Sequence, residues 1–428
     1  MNEIYKVRKM TPKKEYTVEV PGSKSITNRA LLLAALGNRK CRLTGVLFSD
    51  DTRGFLDCLD KLGFEPIIDK ENKTVVIQGL GGQLPNPEAS VNVRSAGTAA
   101  RFLTVALALM KGNVYMDASE QMQKRPMEDI LIVLEKADVK FEFNKDKYHF
   151  PFQMDASNMN LKQVSIDTKI SSQYASALLM GGVVLPEGLH VHLEGDRIAG
   201  SYIMMTLAMM KQFGIPVEGE GADYYIPHVD DWGLDEYNIE PDVSAACYFY
   251  AMAPLLSTRV IVKGVRKDSL QGDIKFLDVL CSMGGERSSC ELGESIDFSG
   301  KEGFSGVDIS LKDFSDQTMT LAAIAPFAWG TVIIRNIGHI RYQESDRLRA
   351  IITELTKMGI SCREEEAIDG LIIEPGEIKE TEIETYEDHR MAMAFSLCGL
   401  KNGKISILNP GCCKKTFENY FKVLDSLY

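Results

Sequence analysis

The chain has 428 residues, of which 45% are hydrophobic and 25% charged, and its formal net charge is −12. This length exceeds what one hydrophobic core supports, and the acidic balance disfavours a general nucleic-acid binder while leaving room for a local basic pocket. No apolar run reaches the roughly 18 residues that a membrane-spanning helix needs. The first residues lack the apolar core of a secretory signal. The nine cysteines include no CxxC pair, which is typical of reduced thiols rather than of a disulfide framework. We therefore expect a cytoplasmic protein that acts on small molecules.

One pattern can be read six times along the chain: an almost wholly apolar helix, a strand and a second, amphipathic helix. The first helices should be buried on most of their surface; they are 27–37, 98–109, 172–182, 244–254, 317–328 and 389–400. The predicted strands are 41–46, 112–118, 189–195, 259–265, 331–337 and 404–410. The second helices are 52–63, 128–139, 202–214, 273–284, 346–359 and 417–427. Helices that alternate with strands in this way predict an α/β fold.

Six copies suit either one ring or two groups of three. Residues 221–241 are aromatic, acidic and irregular, and we interpret them as the crossing between two similar domains after the third copy. The predicted domains are 22–236, with copies one to three, and 1–21 plus 237–428, with copies four to six. Because helix N-termini favour anions, we expect the first helices to point at a cleft between the domains that contains the active site.

Basic and hydroxyl residues open the first helix of the first copy. Lys24, Ser25 and Arg29 follow Gly22, which allows a close approach of the backbone. A capped helix with solvated cations would account for the lysine and the serine. Arg29, however, precedes a run of apolar residues, and a buried cation needs a partner. This position therefore favours a ligand contact.

The second and third copies offer further polar residues at helix starts. Gly97 lies in a tight turn that caps many ordinary helices, and Arg125 precedes the second helix of its copy. The third copy opens with consecutive hydrogen-bonding residues, where one would suffice as a cap; they are Ser171, Ser172 and Gln173.

Acidic and basic residues occur together in the last two copies. Asp316 opens the first helix of the fifth copy, and Glu344 and Arg347 open its second. Taken alone, they could be simple pairings with helix dipoles. The sixth copy adds Arg390 and Lys415.

The cations at these equivalent positions suit two anionic groups, such as a phosphate and a carboxylate; they are Lys24, Arg29, Arg125, Arg347, Arg390 and Lys415. Within such a field, Asp316 and Glu344 are candidates for general acid and base. His190 and His192 share one face of a strand, but no third ligand accompanies them, so no metal site is expected.

At these residues the chain resembles the 5-enolpyruvylshikimate-3-phosphate (EPSP) synthases, which are 3-phosphoshikimate 1-carboxyvinyltransferases. The shared motifs occur in the family's order over the whole length: PGSKSITNRALLLAALG, SAGTAARF, KRP, SSQYASALL, SDQTMT, QESDRL, EDHRMAMAFSL and CKKTF. The resemblance implies an inverse α/β barrel of two three-copy domains that close around shikimate 3-phosphate and phosphoenolpyruvate. It also implies that neither a metal nor an organic cofactor takes part.

Residue roles follow from the same motifs. The resemblance assigns shikimate 3-phosphate binding to Lys24, Ser25, Arg29, Ser171, Ser172, Gln173, Tyr202, Asp316 and Gln343. It assigns phosphoenolpyruvate binding to Lys24, Gly97, Arg125, Gln173, Arg347, Arg390 and Lys415. It makes Asp316 the base for the attacking hydroxyl, while Glu344 with Lys24 manages protonation of the methylene carbon. The chain departs from the family pattern at Gln343, where lysine is usual, at His339 and at Ala199.

Two alternatives to this function belong to different classes. The sister carboxyvinyltransferase that acts on UDP-N-acetylglucosamine would need a reactive cysteine before the Arg-Pro pair, and this chain has EQMQKRP there. A non-catalytic repeat scaffold would explain the six copies but not paired acids among cations. A monomer with small-molecule substrates, and without nucleic-acid or membrane partners, is expected.

Overall fold

The chain divides into two compact units. The computed structural model describes residues 3–169, 171–195 and 198–428. The continuous unit is Gly22–Ile239, and the split unit combines the segment up to Pro21 with Glu240–Tyr428. The predicted limit of the first domain, residue 236, falls on the first residue of a strand that pairs within the continuous unit.

Short strands are distributed over the whole described chain. They are β1 Ile4–Lys6, β2 Glu15–Val18, β3 Lys40–Thr44, β4 Ile67–Asp69, β5 Thr74–Gln78, β6 Ser90–Asn92, β7 Asn113–Asp117, β8 Lys140–Phe143, β9 Phe152–Asp155, β10 Gln163–Asp167, β11 Leu189–Glu194, β12 Glu218–Glu220, β13 Asp223–Ile226, β14 Glu236–Asn238, β15 Arg259–Lys263, β16 Glu286–Ser289, β17 Gly293–Asp297, β18 Asp308–Ser310, β19 Val332–Arg335, β20 Cys362–Glu365, β21 Gly370–Ile373, β22 Thr381–Ile383 and β23 Ile405–Leu408.

The α-helices alternate with these strands. They are α1 Lys24–Leu36, α2 Asp50–Lys61, α3 Gly97–Leu109, α4 Glu120–Gln123, α5 Glu128–Lys136, α6 Ser172–Gly182, α7 Ser201–Gln212, α8 Val243–Tyr250, α9 Met252–Leu256, α10 Phe276–Ser282, α11 Thr318–Ile324, α12 Arg347–Lys357, α13 His389–Leu400 and α14 Tyr420–Asp425. Short 3₁₀ segments are Gly272–Lys275, Ser315–Gln317, Ala325–Phe327, Gly338–Tyr342, Glu366–Ile368 and Pro410–Lys415.

The sheets repeat one topology. In each four-stranded sheet an edge strand pairs in parallel with its neighbour, and two antiparallel strands follow: β14-β3-β5-β4, β6-β7-β9-β8, β10-β11-β13-β12, β2-β15-β17-β16 and β18-β19-β21-β20. The remaining sheet has three strands, β22-β23-β1, with the same parallel pair. The predicted α/β class and its repeated copies are thus confirmed.

Helices form the interior of each unit. In the continuous unit α3 packs against α1 and α6, and in the split unit α13 packs against α8, α9 and α11. Every residue of α3 and α13 is buried, whereas edge strands such as β4 and β12 are exposed throughout. A helix with apolar side chains on every face is stable only at the centre of the unit, because exposing any of its faces would leave apolar surface in water. The sheets therefore lie outside the helices within each unit.

Two expectations from the sequence are corrected. Residues 221–241 are not irregular, because they contain β13 and β14; the alternation of exposed and buried positions in β13 is that of a half-buried strand. The predicted helix 317–328 is also shorter. The α-helix ends at Ile324, and Pro326 lies in a 3₁₀ turn, since proline cannot continue the helical bonding pattern.

Candidate active site

The start of α1 places a lysine beside a buried carboxylate. Ser23 caps the helix by accepting a bond from the Ile26 amide at 3.4 Å. Lys24 comes next, and its Nζ lies 3.4 Å from Oδ2 of Asp51, a buried residue of α2. An ion pair with so little exposure restricts the lysine far more than a surface pair would. The cap and the pair together fix where the Lys24 ammonium lies.

Arg29 lies one turn further along α1, inside the continuous unit. Its guanidinium donates to Thr206 Oγ1 at 2.8 Å, Ser176 Oγ at 3.1 Å and the carbonyls of Ser25 and Tyr202 at 3.1 and 3.2 Å. All these acceptors are neutral, and no carboxylate among the described residues pairs with it. Burial consequently lowers the pKa of Arg29 to about 10. A buried positive charge whose described partners are all neutral favours an anion nearby.

Arg101 brings the starts of α3 and α6 together. Its Nη1 donates to the Gly97 carbonyl at 3.2 Å and to Gln173 Oε1 at 3.1 Å, and its Nη2 donates to the Pro126 carbonyl at 3.3 Å. A Cβ at Gly97 would overlap Arg125 Nη1 and lie 2.8 Å from Arg101 Nη1. The predicted residues Gly97, Arg125 and Gln173 are therefore neighbours, and a side chain at position 97 would displace the guanidinium groups that approach the helix start.

The serines before α6 have separate positions. Ser171 caps the helix by accepting a bond from the Gln173 amide at 3.2 Å, and Ser172 is its buried first residue. Ser176, one turn further, bonds both Arg29 and Thr206. The α6 helix thereby connects the Arg101 group with the Arg29 group inside one unit.

A second cluster of charged residues lies in the split unit around Arg347. The Arg347 side chain is 1% exposed, and its Nη1 donates to Asp316 Oδ1 at 2.9 Å. Its Nη2 donates to Glu344 Oε2 at 2.8 Å, and Gln343 Oε1 accepts a further bond from Nη1. Arg390 Nη2 donates to the other oxygen of Asp316 at 2.8 Å. One guanidinium thus connects both predicted acid–base residues, and Asp316 contacts both arginines.

Lys415 completes this cluster. Its Nζ lies 3.7 Å from Glu344 Oε1, and the 3₁₀ turn Pro410–Lys415 that carries it packs against α13. The side chains of Asp316 and Glu344 are 13% and 12% exposed, so they are reachable although surrounded by cations. Such carboxylates can exchange protons with a bound substrate while neighbouring cations hold its anionic groups.

Asp388 is a central residue that the sequence reasoning did not select. It is fully buried, caps α13, and accepts from the Arg390 amide at 2.9 Å, from Arg347 Nε at 2.8 Å and from Ser345 Oγ at 3.1 Å. Burial would lower the pKa of Arg347, but the carboxylates of Asp388, Glu344 and Asp316 outweigh it and raise that pKa above its ordinary value. Arg347 therefore stays charged.

Arg101 was also missed as a functional residue. The sequence gives one signal for Arg101, a charged side chain within the apolar run of α3. The signal for Asp388 is an acidic residue directly before a helix, and ordinary helix caps show the same pattern. Among the departures from the family pattern, His339 Nε2 lies 2.8 Å from Ser315 Oγ, beside Asp316 in sequence.

Within 3–169, 171–195 and 198–428, no helix combines the length and apolarity needed to cross a membrane. The same ranges contain no group of three or more His, Cys, Asp or Glu side chains arranged to hold a metal ion.

Comparison with known proteins gives one consistent family. The model of the family "EPSP synthase (3-phosphoshikimate 1-carboxyvinyltransferase)" matches residues 10–424. The 3-phosphoshikimate 1-carboxyvinyltransferase of Trichormus variabilis is 40% identical over 409 residues, 95% of this chain and 94% of that protein. The enzyme of the same name from Vibrio vulnificus is 38% identical over 414 residues, 96% of each. A solved EPSP synthase from Acinetobacter baumannii superimposes with a TM-score of 0.82 at 24% identity, over 99% of this chain and 98% of that one.

Proposed function

The chain belongs to the EPSP synthase family, and we propose that it transfers the enolpyruvyl group of phosphoenolpyruvate to the 5-hydroxyl of shikimate 3-phosphate, releasing phosphate. This reaction belongs to the shikimate pathway of aromatic amino-acid biosynthesis. The fold is the two-domain inverse α/β barrel of that family. The observation that carries the proposal is the pairing of two reachable carboxylates, Asp316 and Glu344, through the single buried guanidinium of Arg347.

The first step is an addition that needs a base and an acid. We assign the base to Asp316, which takes the proton of the 5-hydroxyl as its oxygen bonds to C2 of phosphoenolpyruvate. Glu344, with Lys24, delivers a proton to the C3 methylene, which becomes a methyl group. The product is a tetrahedral intermediate that still carries phosphate on C2. Both carboxylates are already ordered by cations, so little reorganisation is needed.

The second step is an elimination. Glu344, with Lys24, takes a proton back from the new methyl group, the C2–C3 double bond re-forms and the C2–O bond to phosphate breaks. Negative charge accumulates on the departing phosphate, and arginine and lysine stabilise it best where they are fixed beforehand. We assign this role to Arg125, Arg347, Arg390 and Lys415, with Lys24 shared between both substrates.

Shikimate 3-phosphate is assigned to the Arg29 region of the continuous unit. The buried guanidinium is surrounded by neutral acceptors and contacts the backbone of Ser25 and Tyr202, which supports binding of an anionic group. Ser171, Ser172 and Gln173 are assigned to the same substrate, and Gln173 also to phosphoenolpyruvate. Asp316 and Gln343 are assigned to the ring hydroxyl groups of the same substrate.

The experiment is a phosphate-release assay with both substrates, each omitted in turn. Release that requires both substrates, and the 5-enolpyruvyl product in the mixture, is expected. Asp316→Asn should reduce turnover by roughly 10² or more, the range typical of a lost general base, whereas Asp313→Asn, an exposed carboxylate of the same loop, should match wild type. No release with the two substrates would contradict the proposal. Release with UDP-N-acetylglucosamine in place of shikimate 3-phosphate would support the sister enzyme instead.

A further inference from the structure

The loop that leads into α13 has an unusual backbone. Tyr386 and Glu387 have φ values of +54° and +55°, and neither is glycine. L residues avoid the left-handed region because Cβ approaches the following carbonyl oxygen, and asparagine or aspartate accepts it more readily than tyrosine or glutamate. Two such residues in succession persist only where the surrounding structure enforces them.

A buried carboxylate holds this loop on α12. Glu354 is fully buried; its Oε1 accepts from the Tyr386 hydroxyl at 2.6 Å, and its Oε2 accepts from the Glu384 amide at 3.2 Å and from Lys357 Nζ at 2.6 Å. Burial together with the bond to Glu354 raises the pKa of Tyr386, so its hydroxyl remains a donor. The Glu354 carboxylate therefore bonds the loop at two places, at Glu384 before the strained turn and at Tyr386 within it.

The same helix and loop meet a second time at the site. Asp388 directly follows the strained pair and bonds Arg347 Nε at 2.8 Å. Arg347 and Glu354 are seven positions apart, which is two turns, so they share one face of α12. The loop 384–388 is thus attached to this face at two points, one structural and one in the cluster of charged residues.

We propose that Glu354 and Tyr386 are positioning residues, which hold the loop 384–388 so that Asp388 aligns the Arg347 guanidinium with Asp316 and Glu344. The proposal rests on the proposed function for its kinetic consequence. Its structural content concerns only the split unit. Loss of the clamp lets the turn relax from the left-handed region, and Asp388 then moves away from Arg347.

The test removes only the hydroxyl. Tyr386→Phe should lower kcat by about 10-fold to 100-fold, since a shift of the order of 1 Å in catalytic groups has effects of that size. The double variant Tyr386→Phe with Glu387→Gly should recover a kcat within a few fold of that of the Glu387→Gly single variant. Glycine accepts φ near +55° at no steric cost, so the turn no longer needs the Tyr386 hydroxyl to hold it. Glu354→Gln provides an independent second variant with the same expectation.

Glu387→Ala is the matched control. Like glycine, alanine removes the exposed bond of 2.7 Å between Glu387 Oε1 and Asn409 Nδ2, but it keeps the Cβ that makes the left-handed region unfavourable. Tyr386→Phe with Glu387→Ala should therefore stay impaired. Equal recovery with alanine and glycine, or wild-type kcat in Tyr386→Phe, would overturn the proposal.

A readout without turnover separates this idea from the proposed function. The Nε–H resonance of Arg347, assigned with an Arg347→Lys sample, reports its bond to Asp388. It should shift in Tyr386→Phe and return with Glu387→Gly, whatever the substrates are. If the Arg347 resonance is unchanged in Tyr386→Phe, the positioning role is rejected, even where the wild-type protein catalyses the proposed reaction. A shifted resonance in an enzyme that releases no phosphate rejects the proposed function alone.

Discussion

Asp273 should make the stability of the split unit fall as pH rises. Its side chain is buried, accepts a bond of 2.5 Å from Gln317 Nε2, and lies in the field of Asp316, Arg390 and Asp242. Burial, then the charge of Asp316, raises the pKa of Asp273 from 3.8 to about 6, although Arg390 opposes this. Asp273→Asn keeps an oxygen for Gln317 and removes the ionisation.

The sign and size follow from proton linkage. Between pH 3.8 and about 6 the folded chain keeps a proton that the unfolded chain has released, so this stabilisation is present at low pH and lost as pH rises through 6. At about 1.36 kcal/mol per tenfold change in proton affinity, the full difference is about 3 kcal/mol, of which about 2 kcal/mol falls between pH 4.5 and pH 8. The asparagine variant should therefore gain about 2 kcal/mol relative to wild type over that interval.

Urea denaturation followed by circular dichroism at both pH values measures this difference. Asp268→Asn, a change at an exposed carboxylate of the same unit, is the control and should follow wild type at both. If the free energy of unfolding of Asp273→Asn differs from that of wild type by the same amount at pH 4.5 and pH 8, Asp273 does not gain a proton on folding. If Asp273→Asn instead becomes more stable relative to wild type as the pH is lowered, the fold stabilises the ionised form of Asp273, which is the opposite of our reasoning.

The site geometry gives three further expectations, each measured by steady-state kinetics with both substrates. Asp388→Asn weakens two charge-assisted bonds to the buried Arg347 and should lower kcat/KM by roughly 10-fold to 100-fold; unchanged kinetics would exclude Asp388 as the residue that orients Arg347. Gly97→Ala places a Cβ against Arg125 and Arg101 and should raise KM for phosphoenolpyruvate by about tenfold, the cost of displacing a paired guanidinium; a change confined to shikimate 3-phosphate would contradict this assignment. Arg101→Lys cannot bond Gly97, Gln173 and Pro126 together and should lower kcat/KM by about tenfold, whereas Arg94→Lys, at an exposed pair with Asp57, should have no effect.

Periodicity predicted the fold well because each first helix is apolar on every side. The bounds differed where capping or proline decides them: α1 begins at Lys24 rather than at residue 27, since Ser23 is its cap, and the predicted helix 244–254 is two helices, α8 and α9. Strand β14 was not predicted, because three exposed or half-buried residues carry no alternation signal.

The charged residues of the site were selected because they stand at helix starts in an otherwise apolar pattern. What could not be predicted is which of them pair. The side chains of Asp388 and Arg390 are two positions apart, yet the Asp388 carboxylate bonds the guanidinium of Arg347, 41 positions earlier. That pairing depends on where the fold places the starts of α12 and α13. Likewise, the bond from Arg101 to Gln173 spans 72 positions. Such partners are set by tertiary structure, which the local sequence pattern does not specify.

The placement of the two N-terminal strands has a consequence for synthesis. Strand β2 pairs with β15 and β1 pairs with β23, with Ile4 opposite Leu408. The segment Gly22–Ile239 contains every sheet partner that its own described strands use, so its sheets need no strand from the rest of the chain. β1 and β2 must then remain unpaired until residues hundreds of positions later emerge from the ribosome, and closing such distant contacts is intrinsically slow. We expect the segment that carries β1 and β2 to need protection in the nascent chain until β15 and β23 have been made.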